Sequence, residues 1–213
     1  MRRNFRKESE GGDNVMLAQT PWNLQVPNLS VKNLYQSIED RCLWVEDIDM
    51  FTFESVIKPI IQYNKEDKDL PIEERKPIKL IFSSCGGDVG IMNSAIDVIM
   101  ASKTPVFGYN VSYCYSAAAI IFLACDKRYT MPHAEYLIHQ GSGTVNANTQ
   151  QMFDMVDNLK EVETKIKEFV LERTNIDSKL YSKKQRKEWY IEPEKQIELG
   201  VCDGIIESLD ELY

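Results

Sequence analysis

The chain has 213 residues, a formal net charge of −8, 43% hydrophobic and 27% charged side chains. That length and balance suit one globular core with decorations, and the negative charge argues against nucleic-acid binding, which depends on clustered Lys and Arg. No run approaches the roughly eighteen continuous apolar residues a membrane span needs. Arg2, Arg3, Arg6 and Lys7 are followed by ESEGGDN, not by an apolar signal-type stretch. Five cysteines without C-x-x-C spacing read as buried reduced thiols of a cytosolic protein, and two histidines, His133 and His139, make a poor basis for a metal centre.

In chain order, residues 1–29 lack periodicity and carry Gly11, Gly12, Pro21 and Pro27, which predicts a mobile arm. Ser30 can cap a short helix with Val31, Leu34, Tyr35 and Ile38 on one face. Cys42–Val45 reads as a buried strand, and Phe51–Tyr63 has the apolar spacing of a helix. The charged stretch 64–77, broken by Pro71, reads as an exposed loop. Ile78–Phe82 is a predicted strand ending in the turn Ser84-Cys85-Gly86-Gly87. A helix follows, with Met92, Ala95, Ile96, Ile99 and Met100 inward, until Lys103-Thr104-Pro105 stops it. A strand over Val106–Val111, a turn and an apolar helix from Ser116 to Ala124 come next. Two short strands, Arg128–Met131 and Tyr136–His139, precede a long amphipathic helix over Thr149–Arg173. Its stripe is Met152, Met155, Val156, Leu159, Val162, Ile166, Phe169 and Val170. Pro193–Leu199 predicts a last helix closed by Gly200, before an acidic tail at 204–213. Strands alternating with helices indicate α/β architecture.

Three places suggest chemistry. Ser116 stands where a strand gives way to an apolar helix, beside unpaired amides and the positive end of the helix dipole; the bland reading is a helix-capping serine. His139 ends an apolar strand beside Gly141, a common place for a base, although a hydrogen-bonded rim histidine would look the same. The Gly86-Gly87 pair can bring amides close to a ligand. A phosphate loop would need a Lys that is missing, and Cys85 occupies the first glycine position of a dinucleotide fingerprint. Together the three are the parts of an acyl-transfer site: oxyanion donor, nucleophile and base.

From about Ser30 to Asp203 the chain resembles the ClpP-type serine peptidases. Ser83–Gly87 (SSCGG) stands where that family has a strand ending in Ser-Pro-Gly-Gly. Ser116 falls at the nucleophile in a Ser-x-Ala element, Tyr136–Gln140 matches the strand ending in His-Gln, and residues 194–203 (EKQIELGVCD) match the closing helix and Gly-x-x-Asp turn. The resemblance implies a ClpP/crotonase-like α/β fold of repeated strand–strand–helix units over residues 30–203, with a protruding handle at about 140–173. It implies Ser116 and His139 as nucleophile and base, with Gly87 and Ala117 giving the oxyanion-hole amides. The third triad member falls by count on Glu188, where the family has aspartate, with Asp177 as the nearest alternative. It further implies unfolded polypeptide substrates, a homo-oligomeric ring of two stacked heptamers, an AAA+ unfoldase as partner, and no cofactor. Cys85 and Gly141 replace family prolines, while Lys79 and Ile81 replace aromatic residues of the unfoldase-docking groove and Tyr129 keeps one. A catalytically silent ring subunit and a viral head-maturation protease are the alternative readings.

Overall fold

A computed structural model describes residues 35–143 and 147–212. The chain divides at Asp40. Of the first unit the described part is a helical turn over residues 35–39; the arm read at 1–29 and the Ser30 cap lie outside the described residues.

The unit from Arg41 onward is built on one sheet. Strand β1 (Cys42–Val45) leads through a π-helical turn (Phe53–Ile57) into α1 (Lys58–Glu66). Then come β2 (Ile78–Ser84), α2 (Val89–Ala101), β3 (Val106–Tyr115) and α3 (Ala117–Ala124). β4 (Lys127–Thr130) and β5 (Glu135–Ile138) precede the long α4 (Thr149–Arg173). α5 (Ser178–Lys184), β6 (Trp189–Ile191), α6 (Pro193–Glu198) and β7 (Gly204–Ile205) complete the order. Strands β1-β2-β3-β4-β7 run parallel, as β–α–β crossovers require. β3 forks: Phe107–Asn110 pairs with β4, whereas Tyr113–Tyr115 pairs with β5. The register shift that makes the fork, Phe82 opposite Asn110 but Ser84 opposite Cys114, is a bulge in β3. Sequence alternation breaks at that bulge, so a strand expected to stop at Val111 continues to Tyr115.

At the centre lies α3, all eight of whose residues are buried. It packs on β3, β2 and β5 with one side and on α2 and α4 with the other. Phe122 meets Phe82 edge-on at 5.3 Å, and the Tyr136 hydroxyl donates to the Ala119 carbonyl at 2.7 Å. Its last carbonyls are satisfied from α4: Arg173 donates to Leu123 O at 2.8 Å and to Cys125 O at 2.9 Å. α4 itself starts in a reciprocal capping box between Asn148 and Gln151. Its apolar stripe divides along the helix. Val170 is fully buried and Val162, Ile166 and Phe169 are half-buried, whereas Met152, Phe153, Met155, Val156 and Leu159 are exposed.

The charged stretch 64–77 departs from its reading as a solvated loop. Residues 64–66 extend α1, Ile72–Glu74 form a 3₁₀ turn, and Asp67 is buried. Arg41, at φ 57, grips the Asp67 carboxylate with both guanidinium nitrogens at 2.6 and 2.8 Å, and Thr104 Oγ1 donates to it at 2.8 Å. A lone charge cannot be buried cheaply, so the pair forms as a unit. The Arg41 hydrogen bond, opposed by burial, holds the Asp67 carboxyl below its usual range. Residues 204–212, read as an acidic tail, instead supply β7 on the edge of β4 and a final 3₁₀ turn. Asp203 secures them by accepting from Arg128 N at 2.7 Å and donating its own N–H to Arg128 O at 2.6 Å. Leu212 then closes an apolar cluster with Ile81, Tyr109 and Ile206.

Asp67→Asn leaves the Arg41 guanidinium with only the longer, more exposed contact to Glu66 at 3.8 Å and should cost about 3 kcal/mol in urea unfolding at neutral pH. Because the folded-state pKa is depressed, the contribution is complete above the unfolded-chain value of about 4 and is lost as pH falls through the lower folded value. Unfolding curves for wild type and variant should therefore converge as the pH drops below that range.

Candidate active site

Ser116 sits between β3 and α3 in a conformation that few residues other than glycine adopt, with φ 55 and ψ −124. The strand must turn sharply into a helix that is already fixed by the core, and Ser116 absorbs the turn. Its own amide is tied to Leu137 O of β5 at 3.0 Å, and its carbonyl accepts from Ile120 N. The elbow is pressed from the other side by the β2–α2 turn. A Cβ on Gly86 would lie 2.8 Å from Ser116 Cβ and 2.9 Å from Tyr115 O. A Cβ on Gly87, at φ 150, would lie 2.2 Å from Ile48 O. Two backbones can approach this closely only where side chains are absent.

The same turn aims its amides. Ile48 N donates to Gly86 O at 3.0 Å and Asp88 N donates to Ile48 O at 2.7 Å. In such a parallel bridge the middle residue's N–H points away from its partner, so the Gly87 amide faces away from Ile48. Ala117 is the first residue of α3, where an amide has no intrahelical acceptor. Among the described residues neither amide has an acceptor in the protein. Ser84 Oγ accepts from Gly86 N at 3.1 Å, and Asp88 caps α2 by accepting from Ile91 N, so the turn is held at both ends.

Both amide-bearing residues, Ser116 and His139 line one cavity of about 290 Å³. The structure thus brings together four of the residues singled out by sequence: Gly87, Ser116, Ala117 and His139. A second cavity of about 230 Å³ adjoins it through Met92, Ile120 and Ile166 and is walled by Ile96, Val162 and Phe169, with Asn93 and Lys165 at its polar side. Two further wall residues escaped sequence reasoning as site residues. Cys85 is exposed at the cavity. Glu163 reaches it from α4, with Oε1 accepting from Gly141 N at 2.8 Å; the available signal was a charged residue flanking the inward stripe of that helix.

The two acids weighed for a triad lie differently. Asp177 caps α5, its Oδ1 accepting from Lys179 N and Leu180 N at 2.8 and 3.0 Å. Glu188 precedes β6, which pairs antiparallel with β5 in the register Leu137↔Tyr190 and Ile138↔Trp189. The pairing ends there, one residue short of both His139 and Glu188, and Glu188 is exposed and is not among the residues that line the cavity. Its Oε2 accepts from the Tyr190 hydroxyl at 3.2 Å, and desolvation together with that bond raises the Tyr190 phenol. Among the described residues, no three His, Cys, Asp or Glu side chains converge as a metal site would require, and no helix is long and apolar enough to cross a membrane.

With this geometry in place, the comparison with known families is decisive: the Clp protease family matches residues 31–209. The chain belongs to the Clp protease family. Among curated relatives, it is 29% identical over 135 residues to ATP-dependent Clp protease proteolytic subunit 2 of Treponema denticola, covering 62% of this chain and 68% of that protein. It is 26% identical over 139 residues to the ATP-dependent Clp protease proteolytic subunit of Paracoccus denitrificans, covering 64% and 70%. Among solved structures, a single-residue mutant of ClpP1 from Listeria monocytogenes superposes with a TM-score of 0.72 at 22% identity, covering 85% of this chain and 99% of that one. The fold expected from sequence, mixed α/β with a parallel sheet and a long helix after His139, is that of ClpP. At these identities the chain is a divergent member of the family.

Gly87→Ala forces a backbone shift against Ile48, since no rotamer relieves a 2.2 Å contact with a carbonyl oxygen. We expect thermal denaturation to report a loss of about 1–3 kcal/mol, with Cys85→Ala, at an exposed neighbouring position, close to wild type.

Proposed function

We propose that this chain is the serine-peptidase subunit of a ring-shaped chamber and hydrolyses unfolded polypeptides there. The observation that carries the reading is the meeting, in one cavity, of a serine on a strained strand-to-helix elbow, a histidine, and two amides that have no acceptor among the described residues. In this reading Ser116 Oγ attacks the peptide carbonyl carbon while His139 takes its proton. The oxyanion receives hydrogen bonds from Gly87 N–H and Ala117 N–H, aided by the α3 dipole. Protonated His139 then donates to the leaving amine, and water deacylates Ser116 by the same steps in reverse. The adjoining apolar cavity would take a bulky apolar side chain.

For the third member, extending the β5–β6 register by one residue would bring Glu188 opposite His139, which favours Glu188, and the capping bonds of Asp177 count against that residue. The Glu188 side chain would have to exchange the Tyr190 hydroxyl for the imidazole. That bond to Tyr190 is also the one observation favouring the second reading, a catalytically silent ring subunit. The exposed half of the α4 stripe supports assembly through the handle, because a lone subunit would present it to water. An AAA+ unfoldase as partner, a cytoplasmic location, and a peptidase domain over residues 30–203 belong to the same proposal.

Hydrolysis of a fluorogenic peptide tests it. Ser116→Ala and His139→Ala should lower kcat/KM by about a thousandfold or more, and Glu188→Ala by a smaller factor. An inert wild type that assembles into rings and fails to label with a fluorophosphonate would leave the silent subunit. Leu159→Asp should reduce the native mass of the particle, because a charge on a joined apolar face must be desolvated; an unchanged mass would exclude this helix from the ring contact.

A further inference from the structure

The cavity that holds Ser116 and His139 also holds a carboxylate that the proposed hydrolysis does not use. Glu163 lies midway along α4 and is half-buried, and one of its oxygens accepts the amide proton of Gly141, two residues beyond His139. Among the described residues lining the cavity, it alone carries a permanent charge; the rest are small, apolar, or the Ser116 and His139 pair. No ion pair reaches Glu163 among the described residues, although Lys165, two residues on, lines the adjoining cavity. Lys167, four residues on, donates to Ser182 Oγ at 2.9 Å, and Lys160, three residues back, pairs with Asp157 at 2.8 Å. Gly141 uses one of about four acceptor positions on a carboxylate, so capacity remains at the cavity wall.

We propose that Glu163 is a specificity-determining residue of this cleft and selects polypeptides that place a Lys or Arg side chain beside α4. The proposal rests on reading the cleft as a peptide site. Against the apolar wall of Ile120 and Ile166 a carboxylate attracts a cation more strongly than in bulk water, and a substrate carboxylate in its place would be repelled. The net charge of −8 works in the same direction, since it draws cationic chains toward the surface. The Gly141 contact depends on an amide that proline would lack, so this chain can hold the carboxylate at the cleft through its own backbone.

The test uses fluorescent peptides that differ only by Lys, norleucine or Glu at successive positions. Binding is read by anisotropy on Ser116→Ala protein, which cannot turn them over, and hydrolysis is read on wild type. At one position the Lys peptide should bind about tenfold tighter than the norleucine peptide. Glu163→Gln keeps an acceptor for Gly141 N–H and removes the charge, so in the Ser116→Ala background it should erase that preference. Glu163→Lys should turn it toward the Glu peptide, and if that variant fails to fold, the Gln variant decides alone. Equal binding of Lys and norleucine peptides at every position, no binding of any peptide, or a Lys preference surviving Glu163→Gln overturns the assignment. Charge-selective binding without hydrolysis by wild type would uphold Glu163 and sink the peptidase reading instead. Hydrolysis without charge selection would do the reverse.

Discussion

Helix α3 is the element on which the rest of the molecule depends. It is buried on every side, pinned at its middle by the Tyr136 hydroxyl and at its end by Arg173, and Ser116 stands at its start. Backbone strain of about 1–3 kcal/mol at an elbow like Ser116 survives only where surrounding structure over-determines it. Each fully buried Ile, Leu or Phe contributes about 1.5–3 kcal/mol, and α3 carries Ile120, Ile121, Phe122 and Leu123. The core therefore offsets the strain several times over. The position of the Ser116 hydroxyl is in this sense a property of core packing.

Much of this was legible in advance, for reasons that differ from element to element. The α4 pattern runs for seven turns and needs no tertiary context to be read as a helix; its bounds Thr149–Arg173 were those expected. Helix α5 and strands β6 and β7 are short, and their stability comes from what they join. β7 is two residues held by Asp203 and Arg128, which are far apart in the chain. The 64–77 stretch misled because charge predicts solvent for a single residue, whereas Arg41 and Asp67 are charged and buried together.

The candidate site divides along the same line. Ser116, Ala117, Gly87 and His139 each occupy a strand end or helix start, and such junctions are visible in sequence. Glu163 occupies the middle of a helix, and its meaning arises only when α4 folds back across α3. Glu188 could be reached by counting, but its relation to His139 is a matter of β5–β6 register. Helix α4 joins both themes: its first half is apolar surface left exposed by the described residues, and its second half is core and cleft wall together. Whatever covers the first half lies on the same rigid rod as the residue that contacts Gly141.

The five cysteines are unequally placed, and that has a consequence for testing the proposed activity with inhibitors. Burial raises the Cys114 and Cys125 thiols well above their usual range and lifts Cys202 to about 11, whereas Cys85 is exposed on the wall that faces Ser116. Thiolate, not thiol, is the reactive form, and access governs the rest. An alkylating reagent would thus find Cys85 before the buried thiols and leave its adduct in the cleft. Under the proposed serine mechanism, inhibitor profiling would then report a cysteine peptidase, although the blocked sulfur would take no part in bond cleavage. In this molecule, sensitivity to a thiol reagent measures crowding at the cleft and says nothing about which atom is the nucleophile.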